Sequence, residues 1–240
     1  MKDIKNTNTG DGIVAESADW SFGGKVPESF AEHVSKSVPL YDLGQHLIAE
    51  ISEFFVTPSS IIYDLGSSTG TMTAKLADKH KSKKCKVIGI DCEPNMIKQA
   101  RIENPRENIV YKVGDILKEK IVKTDFIVLY YTMQFVQPKN RQLLFDSLYK
   151  SLNWGGAIIV FEKVRAPDAR FQDYMTQIYN EYKLEAGYSE ENIIAKSKSL
   201  KRVLEPYSTQ ANYDMMHRAG FKDIMTIQKY ISFEGFLAIK

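Results

Sequence analysis

From about residue 43 the chain alternates two periodicities, and this alternation constrains its fold more than any other feature. Leu43, Leu47, Ile48, Ile51, Phe54 and Phe55 recur at helical spacing, and Ile61-Ile62-Tyr63-Asp64-Leu65-Gly66 then reads as a short buried strand. Thr71 to Lys79 reads as a helix, Lys86 to Asp91 as a second strand, and Pro94 to Glu103 as a helix with Pro in its first turn. Ile109 to Val113 and Asp125 to Tyr131 follow as strands three and four, then a helix from Arg141 to Leu152. Ala157 to Phe161 is the fifth strand, after a turn at Asn153-Trp154-Gly155-Gly156. Strands joined by helices return in one direction with right-handed crossovers, so the sheet is parallel. Their near-continuous apolar character requires helices on both faces.

After the fifth strand the rhythm changes. A long helical region runs from about Asp168 to Leu204, broken near Gly187, and a further helix ends at Gly220. Asp223 to Ile231 and Phe236 to Ile239 read as an antiparallel hairpin on the sheet edge. The expected fold class is therefore α/β, a mostly parallel seven-stranded sheet with an antiparallel C-terminal hairpin. At 240 residues one core suffices. The expected organisation is a loose polar leader over residues 1–18 and a single domain over 19–240. Residues 19–56 supply N-terminal lid helices and 165–206 a helical insertion.

Composition excludes several functions. With 32 basic and 30 acidic residues the net charge is +2, so nothing points to a nucleic-acid partner. No stretch is apolar enough to span a bilayer. Cys85 and Cys92 flank one strand, which holds them more than ~10 Å apart and rules out a disulfide. Two reduced, buried thiols and an N-terminus without an apolar run imply a cytoplasmic chain. His33, His46, His80 and His217 are scattered without metal-ligand spacing, so no metal is expected.

The chemistry concentrates at three strand ends. Tyr63-Asp64-Leu65-Gly66-Ser67-Ser68-Thr69-Gly70-Thr71 links the first strand to its helix, with Gly66 and Gly70 placed for a sharp bend. Asp91 ends strand two, where a carboxylate can accept two ribose hydroxyls. Gly114-Asp115-Ile116 follows strand three, where Asp can accept from an adenine amino group. Ligands of open α/β sheets bind outside these carboxyl ends. The loop lacks the G-x-G-x-x-G spacing that seats a pyrophosphate, and Asp64 beside it would repel one while suiting a cation.

This pattern, with the terminal hairpin, resembles the class I S-adenosylmethionine (SAM) methyltransferases, which are Rossmann-like. Asp19-Trp20-Ser21-Phe22, Ser37-Val38-Pro39-Leu40-Tyr41, Tyr63-Asp64-Leu65-Gly66, Thr132-Met133-Gln134-Phe135, Glu162-Lys163 and Gly187-Tyr188-Ser189-Glu190 recur in order along nearly the whole chain. Together they resemble the carboxy-SAM synthase family of the tRNA wobble-uridine pathway and its methyltransferase relatives. The resemblance implies that Tyr41 covers the cofactor, Gly66 packs against it, Asp91 holds the ribose, and Asp115 and Ile116 flank adenine. It brings Asp64, Ser67, Ser68, Gly70, Cys92, Met96, Tyr130 and Gln134 into the cofactor set, and a homodimer as the assembly. SAM is then the cofactor and S-adenosylhomocysteine the product.

Two departures bear on the reaction. The family's carboxy-sulfonium Arg aligns with Ser197, and its strand-four Asn with Tyr130. Ser189 is placed as an N-cap, so that Ile193, Ser197, Leu200 and Leu204 share one helix face. Ser197 is then either a small core-facing residue or a border of the substrate cavity. Lys196 or Arg202 is the candidate replacement for the lost guanidinium. Trp20, His33, Tyr131, Tyr188, Ser197 and Arg202 are the substrate-pocket candidates. Trp20 reads equally as a lid or an anchor, and His33 as a structural residue or a proton acceptor. Phe171, Tyr174 and Ile178 read as core. The expected function is methyl transfer from SAM to a small-molecule acceptor. The alternatives are carboxy-SAM synthesis from SAM and prephenate, or SAM binding without turnover by a partner protein. No catalytic residue is assigned.

Overall fold

A computed structural model of the chain describes residues 8–23 and 26–240. The apolar runs form β1 (Ile61–Leu65), β2 (Lys86–Asp91), β3 (Ile109–Val113), β4 (Thr124–Tyr130), β5 (Leu152–Lys163), β6 (Asp223–Tyr230) and β7 (Phe233–Ile239). They make one seven-stranded sheet in the order β3-β2-β1-β4-β5-β7-β6. β1 to β5 are mutually parallel, and β7 lies antiparallel between β5 and β6. The α/β class, the parallel core and the antiparallel C-terminal hairpin are as the sequence implied.

The helices are α1 (Val26–Ser37), α2 (Tyr41–Ser52), α3 (Thr71–Lys79), α4 (Pro94–Glu103), α5 (Pro138–Ser151), α6 (Ala169–Glu185), α7 (Glu190–Ser199) and α8 (Thr209–Ala219). They cover both sheet faces, and β4 shows why its apolar run is continuous. Phe126 and Val128 enter one core with Ile48, Leu76 and Phe161, while Ile127 and Leu129 enter the other with Phe145, Leu148 and Phe221. The chain builds outward from β1 to β3 and then returns to place β4 on the other side of β1. That reversal opens a crevice at the carboxyl ends of β1 and β4.

Four details differ from the sequence reading. The expected turn at residues 153–156 is absorbed into β5, because the C-terminal residue stitches it to the sheet. Gly155 N–H donates to the Lys240 carbonyl at 2.9 Å, and Lys240 N–H to the Gly156 carbonyl at 2.9 Å. Phe171, Tyr174 and Ile178 are not core: α6 buries no residue, and these side chains are exposed. Cys92 is exposed, unlike buried Cys85, and both are free.

The leader is also not loose over residues 8–18. Asn8 bridges Val14, and Ile13 packs with Trp20 and Met96. Ala18 N–H donates to the Lys198 carbonyl at 3.0 Å and Trp20 N–H to Ser199 at 3.2 Å, strapping the segment to the end of α7. Residues 1–7 lie outside the described residues. Among the described residues no helix is long and apolar enough to cross a membrane.

The inserted β7 is held by close packing at Gly235, where an added Cβ would lie 2.4 Å from the Phe161 ring. Gly235→Ala therefore forces the fully buried Phe161 to move. It should cost about 1–3 kcal/mol, read in urea denaturation as a lower midpoint at unchanged m-value.

Candidate active site

A cavity of about 970 Å³ occupies the crevice, with α1, α2, α6 and α7 closing around it. Its floor is the β1–α3 loop. Gly66 has φ 81°, and an added Cβ would lie 2.2 Å from the Thr132 hydroxyl, so no side chain fits. Gly66 and Ser67 both donate their N–H groups to the Ile90 carbonyl, at 2.7 and 3.0 Å, curling the loop over the end of β2. There Asp91 accepts from Ser68 N–H at 2.8 Å and Glu93 N–H at 2.9 Å. Each carboxylate oxygen is thereby aimed and keeps a lone pair. Burial raises the Asp91 carboxyl above its ordinary range, although these bonds oppose the shift.

Asp64 lies deeper. It is fully buried and accepts from the Thr73 hydroxyl at 2.6 Å. Burial pushes its carboxyl up to about 7, with a further contribution from Asp91. Two buried polar atoms lining this cavity, Gln45 Oε1 and Ser67 Oγ, have no partner among the described residues. Each such group costs ~1–3 kcal/mol when left unpaired. A polar ligand with hydroxyl and ammonium groups fits them together with the spare acceptor capacity of Asp91 and the desolvated Asp64.

Of the expected cofactor residues, Tyr41, Asp64, Gly66, Ser67, Ser68, Asp91, Cys92, Met96, Asp115, Ile116, Tyr130 and Gln134 all line this cavity. Gly70 does not. It caps α3 at φ 81°, and an added Cβ would meet the Tyr111 hydroxyl at 2.4 Å, so its role is packing behind the loop. Tyr130 donates its hydroxyl to the Tyr41 carbonyl, tying β4 to α2. Gln134 is partly a strut: its side-chain oxygen accepts from Lys163 N–H at 2.8 Å.

The strut rests on Arg141, which sequence reasoning missed, and on Glu162, which it quoted in a motif without a role. Buried Arg141 donates to the Val136 and Gln134 carbonyls at 2.8 and 3.1 Å. Glu162, also buried, accepts from Gln134 N–H at 3.1 Å. Burial pushes the Glu162 carboxyl up to about 8, against the pull of Arg141. The available signal was an Arg on the apolar stripe of α5, in register with Leu144, Phe145 and Leu148.

On the opposite wall Trp20, His33, Tyr131, Tyr188 and Ser197 all face the cavity, whereas Arg202 lies outside it. Ser189 does cap α7, accepting from Asn192 N–H at 3.2 Å. Ser197 is exposed toward the cavity and is not core. Lys196 turns instead onto the Trp20 ring, with its ammonium 3.1 Å from His33 Nε2. His33 Nδ1 lies 2.7 Å from Asp11, which also accepts from the Tyr188 hydroxyl at 2.7 Å. Burial, with Lys196 nearby, lowers His33 to about 4 and keeps the ring neutral. Trp20, His33 and Tyr188 thus anchor the leader, and Asp11, unnoticed in the sequence, is the hub.

Known proteins share this chain's fold and much of its sequence. Residues 62–156 match the family described as a methyltransferase domain. The carboxy-S-adenosyl-L-methionine synthase of Staphylococcus epidermidis is 35% identical over 222 residues, covering 92% of this chain and 97% of that protein. The synthase of Enterobacter sp. (strain 638) is 33% identical over 235 residues, covering 95% and 94%. Among solved structures, an O-methyltransferase family protein from Burkholderia thailandensis superposes with a TM-score of 0.64 at 13% identity, covering 90% of this chain and 60% of that one. Human N-acetylserotonin methyltransferase, solved in complex with SAM, gives 0.58 at 17% identity, covering 90% and 57%. The chain spans less than two thirds of those two structures, and the likeness is one of fold.

Two outcomes follow for SAM binding. Asp91→Ala should weaken it by ~1.5–3 kcal/mol for each charge-assisted bond lost, measured by calorimetry. Asp64, raised to about 7 in the free protein, is mostly protonated at pH 6 and mostly ionised at pH 7.5. A bound cation favours the ionised form, so affinity should rise several-fold over that interval. Asp64→Asn should flatten this rise; an unchanged slope would remove Asp64 from the interaction.

Proposed function

We propose, for a chain that belongs to the carboxy-S-adenosyl-L-methionine synthase family and is a SAM-dependent enzyme, that it transfers the methyl group of SAM to a small-molecule acceptor. The observation that carries this reading is the extent of the cavity. Its lining includes Asp91 and Asp115, the three tyrosines Tyr41, Tyr130 and Tyr131, and residues of α6 and α7. A volume of about 970 Å³ is at the upper end for small-molecule sites, with room for a nucleoside cofactor and a second small molecule.

The bound cofactor would supply an electrophilic methyl group on a sulfonium sulfur. Asp91 would hold the ribose hydroxyls, Asp115 and Ile116 would flank the adenine, and Asp64 would stabilise the cationic end. The leader and α1 exclude water, and alignment of the two substrates supplies much of the rate. Tyr131 stays protonated, because burial raises its hydroxyl far above the ordinary range, and so it acts as a hydrogen-bond donor.

Membership of the synthase family favours a second reading, carboxy-SAM formation from SAM and prephenate. Against it stands the cavity wall at Ser197, where the family resemblance implies an Arg, with the Lys196 ammonium drawn away onto Trp20 and His33. A neutral hydroxyl supplies one bond where a guanidinium supplies two charge-assisted ones. The two readings separate by mass spectrometry. With methyl-deuterated SAM and a small-molecule extract, the label should appear in an acceptor together with S-adenosylhomocysteine. With SAM and prephenate, little carboxy-SAM should form, and Ser197→Arg should increase its binding. Robust carboxy-SAM formation by the unaltered chain would replace the first reading with the second.

A further inference from the structure

The cavity is polarised. Its cofactor end carries Asp64, Asp91 and Asp115, whereas the compartment under α6 carries Lys163 from the end of β5 and Lys183 from the last turn of α6. Both ammonium groups lie against one ring, Tyr179, at 4.2 and 4.5 Å from its centroid. That ring is fixed, because the Tyr179 hydroxyl donates to the Ser37 carbonyl at 2.7 Å. Among the described residues neither lysine has a carboxylate within ion-pair distance. Holding two cations in a desolvated wall is costly unless an anion joins them.

A second, independent observation lies beside them. Tyr131 and Tyr179 pack on the same Phe233 ring, at 5.9 and 5.2 Å, and Lys163 lies 5.7 Å from it. The Tyr131 side chain is buried and its hydroxyl has no partner among the described residues. Its backbone sits in the left-handed region at φ 59°, which a bulky residue adopts at a cost. A strained tyrosine with an idle donor, next to two unneutralised cations, describes a receptor for negative oxygen atoms.

We propose that this compartment is an oxyanion subsite for the second substrate, in which Lys163, Lys183 and the Tyr131 hydroxyl bind a carboxylate or phosphate group carried by the acceptor. The proposal rests on the reading of the chain as a SAM-dependent transferase and adds the chemical class of its acceptor. The acidic end then receives the cationic partner and the basic end the anionic one, so the two substrates are sorted by charge. Burial lowers both lysines to about 8, leaving them largely protonated at neutral pH and able to pair with such a group.

Calorimetry on the full chain tests this in two stages. S-adenosylhomocysteine is titrated first, which tests the cofactor reading alone. Succinate and inorganic phosphate are then titrated into the complex. One of them should bind, identifying the group as carboxylate or phosphate. Lys163→Met and Lys183→Met should each weaken it about tenfold or more, Lys163→Arg should retain it, and S-adenosylhomocysteine affinity should stay unchanged in all three. If Lys163→Met fails to fold, Lys183→Met and Tyr131→Phe carry the test. Absence of anion binding to the unaltered complex would overturn the subsite, as would equal binding by the Met variants. A parallel loss of S-adenosylhomocysteine affinity would also overturn it, since the lysines would then hold the cofactor's own carboxylate.

Discussion

The reversal of strand order between β1 and β4 is the constraint on which the rest of the molecule depends. β2 and β3 grow to one side of β1, and β4, β5 and β7 to the other. Two neighbouring strands therefore send their following loops in opposite directions, and nothing from the sheet can fill the gap between them. The loop after β1 has to cross that gap as bare backbone, which is why Gly66 sits against Thr132 without space for a Cβ. Asp91 holds the same loop from the other side through Ser68 N–H. The cavity floor is thus a consequence of topology, fastened by one carboxylate.

The walls are supplied by parts of the chain that do not belong to the sheet. The leader, α1 and α7 meet over the cavity through the Asp11, His33, Tyr188 and Lys196 contacts, while α6 leans in through Tyr179 and Lys183. The leader packs Ile13 and Trp20 against Met96, but the outer wall buries little apolar surface of its own. α6 has no buried residue, and its Phe171, Tyr174 and Ile178 remain exposed. The α6 wall is held instead by a directional hydrogen bond and by aromatic–cation contacts at Tyr179.

Electrostatics follow from this division of labour. Carboxylates end the parallel strands, where loop N–H groups can satisfy them, and they collect at one side of the cavity. Lysines arrive from β5 and the outer helices and collect at the other. Desolvation acts on both groups, raising Asp64 to about 7 and lowering Lys163 and Lys183 to about 8. Each end is therefore poised to gain most from a ligand of opposite sign, because the low-dielectric wall that disfavours an isolated charge strengthens a pair.

By itself the sequence determined the sheet and the acidic residues that line the cavity at its strand ends. Both depend on local patterns: apolar runs alternating with helical spacing, a Gly-containing turn after Asp64, and acids one step beyond β2 and β3. Such features report backbone geometry within a few residues, and Asp91 and Asp115 lie where that geometry places them. The failures were of another kind. Gly70 serves Tyr111 and Arg202 misses the cavity, although both stood close in sequence to residues that reach it. Asp11 was hidden in a polar leader, Arg141 read as part of an ordinary helix, and Glu162 stood in a family motif without a role. Only the tertiary structure decided these: Gly70, Asp11 and Glu162 take their roles from partners more than twenty residues away, and Arg141 and Arg202 from how the chain around them packs. The same holds for the Lys163, Lys183 and Tyr131 cluster. Its members are separate in the sequence, and they share a wall only because β5, α6 and the end of β4 converge on Phe233 and Tyr179.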